Sequence, residues 1–204
     1  MKSGYKLDIE LTLVEDMLGT IPKEEKVFKA YLKHRAGGKE QKDEFKSPLN
    51  DAEVSEREAK GWTGFMEEDN KPFIMNYMIK GFLKNSGNIQ KDKSIAIKNL
   101  KSKVNDFVYI YPRRIFFDGN KKEHPLERPL RAMTMQGPRV SLVRSDVMEA
   151  GAKLSFEIHV PYACEIKQEH IEKMLDHGQY MGLGQFRNGA YGSFTYKVVS
   201  SDKI

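Results

Sequence analysis

Six arginines fall close together in the second half of the chain, a density expected of a surface that binds phosphate. They are Arg113, Arg114, Arg128, Arg131, Arg139 and Arg144. A guanidinium group donates two parallel hydrogen bonds to a phosphate. Four aromatic residues are interleaved with the first of them: Tyr109, Tyr111, Phe116 and Phe117. Because exposed rings stack unpaired bases, worth ~1–3 kcal/mol per base, this stretch predicts a surface for single-stranded nucleic acid.

Two alternatives to this interpretation stay open. Large aromatic residues usually belong to the core, and in that case these rings are not available to bases. The arginines also have acidic neighbours that could hold them in structural ion pairs. Those neighbours are Asp118, Glu123, Glu127 and Asp146.

A second candidate is a glycine-rich stretch near the C-terminus. It contains Gly182, Gly184, Gly189 and Gly192, with Arg187 between them. Glycine permits positive φ angles, and successive free N–H groups form a concavity that binds anions. A tight helix-to-strand connection, in which glycine serves only packing, explains the stretch equally well.

A catalytic role is disfavoured. A general base must reach the proton that it removes, and of the five histidines only His124 and His177 are expected near such a groove. The other three are His34, His159 and His170. No spacing typical of a metal site is present. We therefore expect no catalytic residue, no metal and no cofactor, with a metal-independent ribonuclease as the weaker alternative.

The elements that position these residues follow from periodicity. Strict alternation over residues 5–13 predicts a half-buried strand. Apolar ridges over residues 74–83, opened by Pro72 and ended by Gly87, predict a helix with Lys80 on its polar side. A short helix at residues 27–32 and a weaker one through residues 95–100 are also expected.

The second half of the chain is rich in predicted strands. Apolar residues at 107–111 and 115–117 flank an interruption at Pro112. Residues 139–144 and 154–160, joined by a turn at Gly151, predict a hairpin. A helix through residues 171–178 and a strand at 194–198 complete the series. The order fits an α+β protein with a ferredoxin-like (RRM-like) βαββαβ core, an antiparallel sheet and insertions.

Composition limits the domain organisation and the cell compartment. The chain has 204 residues and a net charge of +5, which suits one domain over residues 1–204. Residues 33–60 predict a charged insertion, and residues 118–138 a protruding loop or hairpin. Only Cys164 is available, so no intrachain disulfide forms, and no apolar run is long enough to span a bilayer. A cytoplasmic protein is expected.

Trp62 is the single tryptophan, and it lies between Gly61 and Gly64. Its ring suits a stacking platform for a base. The more common role of a single tryptophan is to anchor a loop through its large apolar area. Both interpretations stay open, with anchoring favoured.

Two motifs resemble the RAMP superfamily, which contains the Cas7-like, Cas5-like and Cas6-like proteins. They are the glycine-rich stretch at residues 182–192, followed by an aromatic strand, and the lysine-glycine pattern at residues 78–84, which contains Lys80. The resemblance implies RNA held along its backbone by Gly182, Gly184, Gly189 and Gly192, with Arg187 on a phosphate. It also implies protomers stacked along the strand.

Other stretches resemble uncharacterised bacteriophage and prophage proteins. They are residues 17–20, 61–65, 128–131 and 137–140. This resemblance implies a phage origin. The combined hypothesis is a non-catalytic, Cas7-like protein that binds single-stranded RNA or DNA and interferes with or imitates a CRISPR complex. A phage assembly or protein-interaction component, whose arginines pair with acids on a partner or neighbouring copy, is the alternative from another class.

Overall fold

The strand predicted from alternation at the N-terminus is confirmed. The computed structural model describes residues 3–23, 61–89, 97–134, 137–162 and 164–204, and β1 spans Ser3–Leu13. Leu7, Ile9 and Leu11 are buried on one face of β1. Period-two alternation produces this result, since successive side chains of a strand point to opposite faces.

The chain divides into two compact units. The first contains Met1–Leu18, Met66–Lys121 and Met148–Ile204, and the second contains Gly19–Phe65 and Lys122–Val147. Helices and mostly antiparallel sheets occur together, which confirms the α+β class. The expectation of a single domain over residues 1–204 stays a prediction.

The sheet of the first unit is centred on β1. Two long strands pair with it on either side, both antiparallel: β12 (Lys153–Tyr162) and β13 (Phe194–Lys203). The sheet continues beyond β12 through β8 (Arg114–Asp118), β6 (Lys71–Met75) and β5 (Met66–Glu68), and β7 (Tyr109–Tyr111) also pairs with β12. The order along the sheet is β13-β1-β12-β8-β6-β5.

Three helices within the described ranges belong to the first unit. They are α1 (Asn76–Ile89), α2 (Leu100–Phe107) and α3 (Gln168–Met181). Their buried side chains include Ile79, Leu83, Val104, Ile171 and Leu175. Each fully buried side chain of this size contributes ~1.5–3 kcal/mol relative to exposure. The helix predicted at residues 171–178 is confirmed within α3.

The second unit contains a four-stranded sheet in the order β3-β4-β10-β9. Its strands are β3 (Ile21–Pro22), β4 (Trp62–Gly64), β9 (Leu126–Thr134) and β10 (Gly137–Ser145). β9 and β10 form a regular antiparallel hairpin, and β4 runs parallel to β10. Two further short strands in the described residues, β2 (Met17–Leu18) and β11 (Val147–Met148), belong to neither of these sheets.

The helix predicted from the apolar ridges is present as α1, but its predicted beginning and end are wrong. Residues 71–75 form strand β6 rather than the start of a helix, because residues 73–75 pair with β8 and this long-range pairing outweighs a local helical pattern. Pro72 precedes the residues that pair with β8, and on the other side of β6 it lies opposite Glu67 of β5. Gly87 does not end α1, which continues to Ile89.

The predicted hairpin between residues 139–144 and 154–160 does not form. Residues 137–145 pair instead with β9, and residues 154–160 pair with β1. The local turn at Gly137 closes the β9–β10 hairpin, and Pro129 is accommodated because β9 is an edge strand. A hairpin is therefore present, but it spans Leu126–Ser145 rather than residues 118–138.

Some predictions lie outside the described residues. These are the helix at residues 27–32, the insertion at residues 33–60, and the beginning of the helix expected through residues 95–100. No helix in the described part of the chain is long and apolar enough to cross a membrane.

The contact between α1 and α3 is close enough to require glycine. A Cβ atom built on Gly178 lies 1.8 Å from the Cζ atom of Phe82, whose ring also packs edge-on against Phe194 at 5.4 Å between centroids. By contrast, a Cβ atom on Gly81 meets nothing within 4 Å.

We expect Gly178→Ala to lower the free energy of unfolding. Overpacking costs ~1–3 kcal/mol, which exceeds the ~1 kcal/mol that alanine adds through helix propensity. Gly81→Ala, the matched control in α1, should raise stability by ~1 kcal/mol. Chemical denaturation of both variants measures the difference, and a stabilised Gly178→Ala variant would contradict the packing described for the two helices.

Candidate nucleic-acid interface

Three exposed aromatic side chains lie on β7 and β8, on the sheet face opposite the core. Ile110, Ile115 and Phe117 are buried on the core side. The side chains that alternate with them, Tyr109, Tyr111 and Phe116, are 37%, 48% and 39% exposed. We call these three residues the aromatic cluster. Of the four aromatics noted in the sequence, only Phe117 belongs to the core.

Cationic side chains border the aromatic cluster. The Lys80 ammonium lies 5.2 Å from the centre of the Tyr109 ring. Arg113 is exposed and makes no ion pair with any residue that the structure describes. Arg114 pairs with Glu68 and lies 5.7 Å from the centre of the Phe73 ring. Within the described part of the chain, Lys80 and Arg113 form no ion pair with a carboxylate, although the carboxylate of Asp106 acts electrostatically on Lys80.

Burial lowers the pKa of Lys80, and the nearby ammonium of Lys84 lowers it further. Both effects disfavour the charged form, because burial removes water and a like charge repels it. The carboxylate of Asp106 acts in the opposite direction, and an anion placed beside Lys80 would likewise favour the charged form.

Beyond the aromatic cluster, the same sheet face carries charges that neutralise one another. The Lys6 ammonium lies 3.1 Å from Asp8 Oδ1 and 3.4 Å from Glu157 Oε1. His159 Nε2 lies 2.7 Å from Glu157 Oε2, and its ring is 4.8 Å from that of Tyr111. This ionic cluster of Lys6, Asp8, Glu157 and His159 therefore adds no net positive charge, and it supports the Tyr111 ring from one side.

Hydrogen bonds lower the pKa of both carboxylates in the ionic cluster. The hydroxyl of Ser200 donates to Asp8 Oδ2 at 2.6 Å and is the largest cause of the lowered pKa of Asp8. The contact with His159 is the largest cause for Glu157. A lowered carboxyl pKa contributes stability above the pKa of the unfolded chain, and the contribution is lost as the pH falls through the folded-state pKa.

We therefore expect Ser200→Ala to raise the pKa of Asp8 towards its ordinary range and to make acid unfolding less steep. A ¹³C NMR titration of the Asp8 carboxyl group measures the pKa directly. Ser201→Ala is the matched control, since the Ser201 hydroxyl bonds Gln168 instead. An Asp8 pKa that moves equally in both variants would rule out the hydroxyl as its cause.

The glycine-rich stretch is explained in large part by packing. Gly192 has a φ of +73°, and a Cβ atom there would lie 1.9 Å from the carbonyl oxygen of Leu183. The N–H groups of Leu183 and Gly192 bond the carbonyls of Gly192 and Asp16, so they are not directed at an anion. Arg187 is exposed and opens a short 3-10 helix, Arg187–Gly189. Phosphate binding by this stretch stays a prediction.

The glycine-rich stretch and Tyr109 lie towards opposite ends of the sheet. Phe194, which follows the stretch, is opposite Leu13 on β1. Tyr109 is opposite His159, which is opposite Lys6. Lys6 and Leu13 are seven positions apart along β1, a distance of about 23 Å at ~3.3 Å per residue. These two predicted parts of the groove are therefore not adjacent.

The remaining predicted arginines belong to the second unit. Arg128 and Arg131 lie on β9, and Arg139 and Arg144 lie on β10. Arg144 Nε lies 2.7 Å from Glu127 Oε1, its cross-strand neighbour. The alternative in which the arginines form structural ion pairs therefore holds for Arg144. It also holds for Arg114, whose partner is Glu68. Asp146 pairs with a lysine instead.

That lysine, Lys23, belongs to a cluster around Trp62 in the second unit. The indole N–H of Trp62 donates to Asp146 Oδ1 at 3.0 Å, and Lys23 Nζ lies 2.7 Å from Asp146 Oδ2. The Lys23 ammonium is also 5.0 Å from the centre of the Trp62 ring. Asp146 is only 5% exposed. This arrangement favours the anchoring role of Trp62 over the stacking role.

We expect Trp62→Phe to destabilise the protein by about 1–3 kcal/mol, because a buried carboxylate loses one of its donors. Affinity for single-stranded oligonucleotides should stay unchanged. Denaturant unfolding and fluorescence anisotropy measure the two quantities. An affinity loss with unchanged stability would restore the stacking interpretation.

The histidines considered for catalysis lie on different elements of the chain. His124 is exposed and belongs to the second unit, and His177 lies on α3 in the first. His170 is buried, and its Nδ1 accepts a hydrogen bond from the Lys167 N–H. His34 lies outside the described residues. Within the described ranges, no group of three or more His, Cys, Asp or Glu side chains is arranged to hold a metal ion.

Sequence reasoning missed the ionic cluster on the sheet face. The available signal was the alternation of Lys6, Asp8 and Glu10 with buried residues, which placed them on the polar face of β1. Their partners on β12 follow only from the β1–β12 register, which pairs Lys6 with His159 and Asp8 with Glu157.

Comparisons with known proteins give a distant structural likeness. No family model matches the chain, and no curated protein matches it by sequence. The fold is similar to that of a chain in the cryo-EM structure of the Type III-B Cmr-beta bound to cognate target RNA, with a TM-score of 0.49 and 10% identity. The match covers 99% of this chain and 61% of that chain, so this protein spans about three fifths of that chain's length. A likeness this distant does not assign a function.

Proposed function

We propose that this protein binds single-stranded nucleic acid, RNA in preference to DNA, on the open sheet face of its first unit. The observation that carries the proposal is the aromatic cluster. Tyr109, Tyr111 and Phe116 are exposed while Ile110, Ile115 and Phe117 beside them fill the core. Exposed large aromatic rings lower the solubility of a protein, and contiguous apolar patches on a surface mark interaction sites.

Magnitudes support a nucleic-acid ligand of a few nucleotides. Two or three stacked bases at ~1–3 kcal/mol each give a gross ~2–9 kcal/mol, which association costs of at least ~4 kcal/mol largely offset. Phosphate contacts must therefore contribute to the affinity. Lys80 and Arg113 are the cations beside the rings that form no ion pair with a described residue, and two neutralised phosphates predict a log–log salt slope of about −1.4 for a single strand.

We also propose a specific topology for the first unit, a ferredoxin-like core. The order β13-β1-β12-β8, with α1 and α2 after β1 and α3 between β12 and β13, supports a ferredoxin-like βαββαβ core. We extend the proposal to a non-catalytic, Cas7-like protein of phage origin that acts on or imitates a CRISPR complex. The Cas7-like part of that extension rests on the motifs at residues 78–84 and 182–192, and the phage origin rests on the stretches at residues 17–20, 61–65, 128–131 and 137–140.

The test is fluorescence anisotropy with labelled single-stranded RNA and DNA across a salt series. Tyr111→Ala should weaken binding by about 5-fold to 100-fold, as expected for the loss of one stacked base. Tyr180→Ala is the matched control, because Tyr180 is 88% exposed but lies on α3. Its affinity should equal that of the wild type.

Charge is tested by the same assay. Arg113→Glu should weaken binding and make the salt dependence shallower, since it removes a phosphate contact. Lys101→Glu is the control, because Lys101 is an exposed cation on α2 away from β7 and β8. Equal losses in the two variants would indicate binding by net charge alone. No binding by the wild type at low salt would exclude the proposal and favour an assembly or protein-interaction component.

A further inference from the structure

A cavity of about 150 Å³ lies between α1 and β7 in the first unit. The residues that line it are Asn76, Tyr77, Lys80, Tyr109, Ile110 and Tyr111. Water occupies ~30 Å³ per molecule in the liquid, so the cavity has room for about five waters. That volume suits a group the size of one single-ring base or one sugar-phosphate, and it is below the ~300 Å³ of ordinary small-molecule pockets.

The walls of the cavity are fixed by hydrogen bonds. The side-chain amide of Asn76 donates to the carbonyl of Ile110 at 2.9 Å, and the Asn76 N–H donates to the Arg113 carbonyl at 2.9 Å. The Tyr109 hydroxyl donates to the Asp106 carbonyl at 3.1 Å. These bonds join α1 to β7 and hold the Tyr109 ring. A site that is already ordered loses less entropy on binding.

The lining residues are chemically complementary to an anion that carries an aromatic ring. Lys80 alone among the six lining residues carries a charge, and its ammonium is 5.2 Å from the centre of the Tyr109 ring. Burial, and secondly the charge of Lys84, lower the pKa of Lys80. An anion beside Lys80 would favour its charged form. A ligand with a phosphate joined to a planar ring can contact the cation and the tyrosine rings together.

We infer that one nucleoside monophosphate unit binds at this cavity, with its phosphate on Lys80, its base against Tyr109 and Tyr111, and the part that the cavity does not enclose exposed to solvent. The inference rests on the proposed function in one respect: the unit would normally belong to the bound strand. The cavity then sets the register of that strand, because it orders one nucleotide while Phe116 stacks another further along the sheet face.

The experiment uses the full chain and a free mononucleotide. Uridine 5′-monophosphate is titrated into protein labelled at tyrosine, and ¹H–¹³C NMR follows the Tyr109 and Tyr111 ring signals. We expect saturable shifts of both rings with a Kd near the millimolar range. Uridine alone and inorganic phosphate alone should each bind at least five-fold more weakly, because each lacks one half of the recognised group.

Three variants assign the phosphate contact. Lys80→Met should weaken mononucleotide binding at least five-fold, and Lys80→Arg should retain it because the charge is kept. Lys84→Met is the matched control one turn further along α1, where the ammonium bonds the side chain of Asn105 instead. Equal affinities in Lys80→Met and Lys84→Met, or phosphate alone binding as well as the nucleotide, would overturn the inference.

The outcome is separable from that of the proposed function. Oligonucleotide binding without mononucleotide shifts at Tyr109 and Tyr111 would remove this site and leave the sheet-face proposal intact. Mononucleotide binding without oligonucleotide binding would keep the site, as one for a free nucleotide, and remove the proposal that the protein binds a strand.

Discussion

The candidate interface depends on one geometric constraint, the alternation of side chains along β7 and β8. Ile110 and Ile115 are buried in the core. Because successive residues of a strand face opposite sides, Tyr109, Tyr111 and Phe116 then have no position other than the solvent face. The burial of Ile110 and Ile115 therefore determines that the three rings are exposed.

Pairing with β12 gives this arrangement its charge pattern. β12 places Glu157 and His159 opposite Tyr111 and Tyr109, and β1 places Asp8 and Lys6 beyond them. These charges pair with one another in the ionic cluster. The cations near the rings that form no ion pair with a described residue are therefore Lys80 and Arg113.

Local periodicity predicted the elements whose burial follows from their own sequence. β1, the strand at residues 154–160, the last strand and α3 each show a clear period, and the structure confirms them. The start of α1 and the partner of β10 were predicted wrongly because long-range pairing decided them. Phe73 pairs with Phe116, and Val140 pairs with Arg131, and no local pattern contains that information.

The site residues divide in a similar way. The arginine and aromatic series drew attention to β7 and β8, and the lysine-glycine pattern drew it to Lys80. Their proximity and the cavity between them follow from packing of α1 on β7, which sequence spacing does not reveal. The glycine-rich stretch also has a structural reason that spacing could not supply, since Gly192 is required by the close approach of the Leu183 carbonyl.

The most direct test of the central claim is an NMR footprint of the aromatic side chains with a short single-stranded RNA. The account predicts upfield ring shifts at Tyr109, Tyr111 and Phe116 on binding, as expected when bases stack on them. Tyr180 and Phe186, which are exposed elsewhere in the first unit, should not move. Shifts confined to Tyr180 and Phe186, or bound RNA that leaves the aromatic cluster unperturbed, would contradict it.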